Sequence, residues 1–193
     1  GAPAIAVLKP TKLHNSFFVI SQTGNIDARY DKIKLVPFGE YVPFKKWLPI
    51  PRLVESLADF QVGTSPKFID IPSIGKIAPL ICYEIIFPGE IFNGKKGNRV
   101  KLIVNLTNDA WFGTGAGPKQ HLEIAKMRAI EEGIPLIRSA NTGISGFYDA
   151  YGRTIGEIDL NQTGILDKPL AAPTSSPTIC FSIMFLSILS IIF

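Results

Sequence analysis

Short hydrophobic runs cut by turn residues dominate the first half of this chain, and a period near four takes over only once. Asn15 to Ser21 (NSFFVIS) and Ile26 to Lys32 (IDARYDK) flank Gln22-Thr23-Gly24-Asn25, a spacing that predicts a β-hairpin. Leu35 to Pro51 is rich in proline and aromatics with Gly39 inside it, so it predicts an ordered loop, and Arg52 to Phe60 predicts a short helix. Gly75 to Ile86 (GKIAPLICYEII) predicts an apolar strand that ends in polar residues around Cys82. Val100 to Leu106 (VKLIVNL) predicts the next buried strand, followed by a loop over Thr107 to Gly117. Pro118 then opens a helix, an allowed first-turn position for proline, with Leu122, Ala125 and Ala129 on one stripe. That helix runs to about Glu132 and stops at Gly133. Ile134 to Ala140 predicts a strand, and Ser145 to Asp159 a second hairpin turning at Asp149 to Gly152. Strands mixed with a strong helix place the chain in the α/β (α+β) class.

The pattern changes again at the far end. No charged residue follows Lys168, and Thr178 to Phe193 reads TICFSIMFLSILSIIF, apolar on every face. A bilayer takes about 20 apolar residues to span, so this segment predicts a short membrane anchor, with a buried core helix as the alternative. The expected organisation is one domain over residues 1–170, a linker over 171–177 and a hydrophobic tail over 178–193. Gly1-Ala2-Pro3 lacks the basic and apolar regions of a signal peptide, and the expectation is a fragment or a processed product.

Composition narrows the class. With 46% hydrophobic and 19% charged residues, the chain is not disordered. A net charge of +4 suits an anionic membrane surface as well as nucleic acid, and the basic residues are scattered, with Lys45-Lys46 and Lys95-Lys96 as doublets. The two cysteines, Cys82 and Cys180, cannot build a disulfide framework. With no CxxC or HExxH and only His14 and His121, a structural zinc site is excluded.

Cys82 is the first candidate for chemistry. Nucleophiles often sit where a buried strand turns out of its sheet, since backbone N–H groups there can receive an oxyanion. A free cysteine in such a run is also a common small core residue. The sequel Tyr83-Glu84 favours chemistry, because it sets ionisable groups directly after an apolar run. The nucleophile is the thiolate, which a neighbouring base or cation must favour. One helper is His121, oriented by Asn108 or Asp109, although a lone helical histidine usually lies at the surface. The other is a lysine such as Lys32, which could also stabilise the oxyanion, although most lysines are solvated.

Taken together, RYDKIKLVPFGEYVPF (Arg29 to Phe44), ICYE (Ile81 to Glu84) and TNDAWFGTGAGPKQH with its sequel to RSANTGIS (Thr107 to Ser145) resemble the carbon–nitrogen hydrolase superfamily. Within it they are similar to the apolipoprotein N-acyltransferases, over about Gly1 to Pro177. The resemblance implies a nitrilase-type α-β-β-α sandwich, here N-terminally incomplete and followed by a C-terminal hydrophobic segment. It implies a Glu–Lys–Cys triad whose lysine falls at Lys32 and whose cysteine falls at Cys82. Glu40 matches a further glutamate that supports the lysine. Tyr83 and Glu84 match the residues after the nucleophile, with the Tyr83 N–H as an oxyanion donor. Asn108 would shape its loop, and Trp111 and Phe112 would line the acyl-chain entrance.

The implied reaction takes an acyl chain from a phospholipid donor, through a thioester on Cys82, to the S-diacylglyceryl cysteine of an apolipoprotein acceptor. It needs no metal and no organic cofactor, involves no nucleic acid, and belongs at the bacterial inner membrane with the catalytic domain facing the periplasm. Three features depart from the family pattern. The general-base glutamate and the N-terminal membrane helices have no counterpart in this chain, and TICFSIMF lacks the expected aromatic–Arg–x–Gly stretch. The expectation is therefore that this chain alone does not complete N-acylation. The alternatives are a soluble nitrilase-type amidase and an inactive truncated remnant of the acyltransferase.

Overall fold

The structure is a computed structural model, and it describes residues 3–8, 12–43, 59–64, 67–89, 91 and 100–175. The chain divides into two compact units, Gly1–Lys67 and Phe68–Phe193.

The first unit carries a three-stranded antiparallel sheet in the order β1 (Pro3–Leu8), β2 (Lys12–Ile20), β3 (Ile26–Asp31). The β2–β3 hairpin is the predicted one. Ser21 N donates to the Asn25 carbonyl at 2.8 Å and Gly24 N to the Ser21 carbonyl at 3.0 Å. Gly24 takes a positive φ of 82°, a conformation glycine adopts without steric cost. Phe17 and Tyr30 lie opposite each other in the register and are both buried, a cross-strand aromatic pair that fixes which face points inward. Strand β1 was not expected from the sequence. The helix expected over 52–60 does not reach its last residue, because Phe60 bridges to Leu13 of β2 and its N–H goes to the Glu40 carbonyl. Residues 52–58 lie outside the described residues.

The second unit holds a six-stranded mixed sheet in simple sequence order: β4 (Ile69–Ile71), β5 (Gly75–Ile81), β6 (Leu102–Thr107), β7 (Leu136–Ala140), β8 (Ser145–Tyr148) and β9 (Thr154–Ile158). The β5–β6 and β6–β7 pairs are parallel and the other three antiparallel. Strand β5 is buried from Ile77 to Ile81 and β6 over most of its length, as expected of strands inside a parallel array. Helix α1 (Gly117–Glu132) lays Leu122, Ala125 and Ala129 against Ala78, Leu80, Ile103 and Leu136 in one buried cluster. It ends at Gly133, whose φ of 62° is left-handed and whose N–H caps the Ala129 and Ile130 carbonyls.

Two of the strand ends that differ from the sequence expectation have a visible local cause. The strand expected over Gly75 to Ile86 stops at Ile81, and Cys82–Ile86 forms a 3-10 turn instead. The cause is local: the Glu84 carboxylate takes the Ile81 N–H at 2.8 Å and curls the chain back. The strand expected from Ile134 begins at Leu136, because the Ile134 N–H is spent on the Ala129 carbonyl at the helix end. The second hairpin turns as expected, with Asp149 accepting from the N–H groups of Tyr151 and Arg153, both at 2.9 Å. Residues 171–175 form no regular element, yet Thr174 is fixed to Gly133, donating to its carbonyl from both N (2.9 Å) and Oγ1 (3.2 Å). Among the described residues no helix is long and apolar enough to cross a membrane. The hydrophobic segment 178–193, with Cys180, lies outside them.

Candidate functional site

Because β5, β6 and β7 run parallel, the segments leaving their carboxyl ends emerge side by side. Ile81 pairs with Leu106 and Thr107 with Ala140, so Cys82, Asn108-Asp109 and Asn141 all stand at one edge of the sheet. In open α/β sheets that edge is where ligands bind.

Cys82 is half-buried with a free thiol and carries a φ of 50°. A left-handed backbone at a residue with a Cβ costs roughly 1–2 kcal/mol, so the surrounding contacts must hold it. Glu84, buried, grips the residue before it through the Ile81 N–H. Arg128 of α1 donates to the Ile86 carbonyl at the end of the same turn, at 3.4 Å. Tyr83 packs edge-on against Phe87 at 5.0 Å.

Lys32 and Glu40 come together in the first unit. Lys32 is only 1% exposed, and its Nζ donates to Glu40 Oε2 at 2.8 Å. Glu40 also accepts from Asn15 Nδ2 at 2.9 Å and from the Val36 N–H at 2.8 Å. Three donors fix this carboxylate, and it in turn fixes the ammonium. A lysine this deeply placed is uncommon unless paired, so the reading of Lys32 as a solvated surface group does not hold.

Asn108 joins two of the edge segments. Its Oδ1 accepts from the Ala110 N–H at 3.3 Å, capping the 3-10 turn Asp109–Phe112, and from Asn141 Nδ2 at 3.2 Å. Trp111 and Phe112 project from that turn, 62% and 46% exposed.

At the base of this turn lies a buried charged cluster: the His121–Asp109 pair offered from the sequence is present, and Thr107 and Arg138, not expected from the sequence, join it. Asp109 is 0% exposed; its Oδ2 accepts from Arg138 Nη2 at 2.6 Å, and its Oδ1 lies 3.0 Å from His121 Nδ1 and 2.9 Å from Thr107 Oγ1. Burial alone would push the Asp109 carboxyl up. The His121 hydrogen bond and the Arg138 charge outweigh that and hold it below the usual carboxylate range. Arg138 Nη2 also lies 3.2 Å from His121 Nδ1. An ionised carboxylate only accepts and a guanidinium only donates, so the shorter contact to Asp109 assigns a proton to Nδ1 and leaves Arg138 as its neighbour and not a second hydrogen-bond partner.

His121 is thus an interior residue, not the surface histidine expected, and Nδ1 is engaged by Asp109. The legible signal was spacing: Pro118, His121, Leu122, Ala125, Arg128, Ala129 and Glu132 form one buried stripe with three- and four-residue steps. Arg128 and Glu132 of that stripe carry no such signal, since charged residues on a helix are usually solvated.

The carbon–nitrogen hydrolase family profile matches residues 2–177. The chain belongs to this family. Among curated relatives it is 48% identical to the apolipoprotein N-acyltransferase of Bradyrhizobium diazoefficiens, across 84% of this chain and 30% of that protein. To that of Rhodopseudomonas palustris it is 44% identical, across 88% and 32%. To that of Brucella melitensis it is 42% identical, across 84% and 31%. The chain therefore spans about a third of the length of these curated relatives. Among solved structures, a carbon–nitrogen hydrolase from Helicobacter pylori aligns with a TM-score of 0.62 at 17% identity, covering 84% of this chain and 58% of that one. An amidase from Nesterenkonia sp. aligns at 0.54 with 20% identity, covering 82% and 56%. At those identities the likeness is one of fold, and it agrees with the mixed α/β architecture.

Proposed function

We propose that this chain is the catalytic portion of an apolipoprotein N-acyltransferase. The observation that carries the reading is its 42–48% identity to enzymes of that name over more than four-fifths of its length. Cys82 Sγ attacks the sn-1 ester carbonyl of a phospholipid. The tetrahedral oxyanion collapses, the C–O bond breaks, and a lysophospholipid leaves with a proton on its new hydroxyl. The acyl group stays on sulfur as a thioester. The α-amine of an apolipoprotein's S-diacylglyceryl cysteine then attacks that thioester, gives its proton to a base, and leaves as an amide while the thiol is restored. This is two-step covalent catalysis.

In this reading Lys32 supplies the positive charge that meets the oxyanion, Glu40 holds the ammonium, and the Tyr83 N–H is a second donor to it. Glu84 keeps the Cys82 turn closed. Asn108 shapes the neighbouring loop, where Trp111 and Phe112 receive the acyl chain. The strained backbone at Cys82 supports the nucleophile's role, since such strain collects at functional sites. The setting is the bacterial inner membrane with this portion on the periplasmic face, and neither metal nor organic cofactor takes part. The high identity to acyltransferases favours transfer to an amine over the amidase alternative, for which only fold likeness speaks.

The test is adduct mapping by mass spectrometry, in a full-length context, after incubation with phospholipid. Cys82→Ser abolishes the acyl-enzyme and Cys180→Ser leaves it intact. An acyl group mapped to Cys180, or none on Cys82 in a chain whose Cys82 still alkylates, overturns the reading.

A further inference from the structure

Asn105, Arg138, Asp109 and His121 are all buried, and they form one unbroken polar chain inside the second unit. It starts at the Leu80 carbonyl of β5, two residues before Cys82, which accepts from Asn105 Nδ2 at 3.1 Å. Asn105 Oδ1 accepts from Arg138 Nη1, and Arg138 Nη2 donates to Asp109 Oδ2 at 2.6 Å. His121 Nδ1 donates to the other oxygen of Asp109 at 3.0 Å. Asp109 opens the turn that bears Trp111 and Phe112, and the imidazole meets the Phe112 ring edge-on at 5.2 Å. The chain thus begins beside the nucleophile's strand and ends against the aromatic turn.

Stability alone is a poor account of this arrangement. A buried charge pair is often no more stabilising than apolar residues of the same volume, so what it adds is fixed geometry. Apolar packing holds the turn only in part, since Trp111 is 62% and Phe112 46% exposed. We infer that Asn105, Arg138, Asp109 and His121 are positioning residues that fix the Trp111–Phe112 turn relative to Cys82, and thereby select which acyl chains reach the thiol. The identity of the ligand rests on the acyl-transfer reading above; the fixing of the turn does not.

The chain has two tryptophans, so a Trp47→Phe background leaves Trp111 as the sole indole. In that background His121→Phe keeps a ring beside Phe112 and loses the donor to Asp109. His121→Asn loses the ring and keeps a donor close to the Nδ1 position. Three readouts are taken: acrylamide quenching of Trp111, quenching by phospholipid micelles with brominated short or long sn-1 chains, and iodoacetamide alkylation of Cys82 with Cys180 replaced by serine. His121→Phe and Asp109→Asn are expected to raise the half-saturating lipid concentration on the order of tenfold, as for loss of one charge-assisted hydrogen bond. They also erase the discrimination between short and long chains. His121→Asn restores both, and Cys82 alkylates at the parent rate in both His121 variants.

Should Asp109→Asn fail to fold, the His121 pair carries the test. Equal behaviour of His121→Phe and His121→Asn overturns the inference, as do lipid effects that merely track thermal midpoints. If brominated lipid quenches Trp111 in no variant, the parent included, the acyl-transfer reading fails. The acrylamide contrast between the two His121 variants then decides the positioning by itself.

Discussion

At the scale of single residues, the decisive fact is the backbone of Cys82. A φ of 50° is natural for glycine and strained for any residue with a Cβ. Cys82→Gly is therefore expected to be more stable than Cys82→Ala by about 1 kcal/mol, the reverse of the usual order of these two residues. Urea unfolding of the two variants measures it; an alanine variant as stable as the glycine one removes the strain from the account. Lys32 offers the second test. Its Nζ sits 2.8 Å from Glu40 Oε2 and the side chain is buried. A guanidinium is planar and broader, so Lys32→Arg keeps the charge and misplaces it. Single-turnover acylation of Cys82 is expected to fall about 10²–10³-fold, the typical cost of one oxyanion donor. Near-parent rates would return Lys32 to a structural role.

Between elements, the buried Asp109 cluster couples strands β6 and β7 to helix α1, and it responds to acid. Its carboxyl is held below the usual range in the fold while the unfolded value stays near 3.8. Its contribution is therefore complete above the unfolded value and is lost as pH falls through the lower folded one. Asp31 and Asp149 are lowered in the same way, so the acid limb is shared. Asp109→Asn is expected to be less stable at neutral pH and to lose less on acidification, read as urea midpoints between neutral and acid pH. Gly143 touches the same cluster: a methyl group there would overlap Asp109 Oδ2 and Cβ. Gly143→Ala is expected to cost about 1–3 kcal/mol as overpacking, with the larger effect in thermal unfolding at neutral pH. The two hairpins, helix α1, and β5 and β6 were legible because each is written in a local period or turn signal. The 3-residue strand β4 is too short to show a period. Of the Asp109 cluster, only the His121–Asp109 pair was legible, and the rest was hidden for a different reason. Asn105, Asp109, His121 and Arg138 sit on four separate elements, and only the parallel register of β6 with β7 and the packing of α1 bring them together. Asn105 and Arg138, read alone, look like solvated residues.

For the molecule as a whole, the apolar segment from Thr178 to Phe193 is expected to hold the chain at a membrane. Alkaline carbonate extraction checks this: retention in the pellet supports an anchor, and quantitative release of folded protein makes the segment a core helix instead. The way the chain arrives at that segment has a mechanical consequence. The last described stretch is fastened at Thr174, through two donors on the single carbonyl of Gly133, which is also the cap of α1. A pull transmitted from beyond residue 175 is first borne at the end of the helix and bypasses the β5–β7 strands that carry the carboxyl edge. Under load that fastening yields as a small early event, ahead of the sheet, and the tether acts as a strain relief that spares the nucleophile's turn. Optical-trap extension from the C-terminal end is expected to show this early step in the parent and to lose it in Thr174→Pro, which removes the N–H and the hydroxyl together.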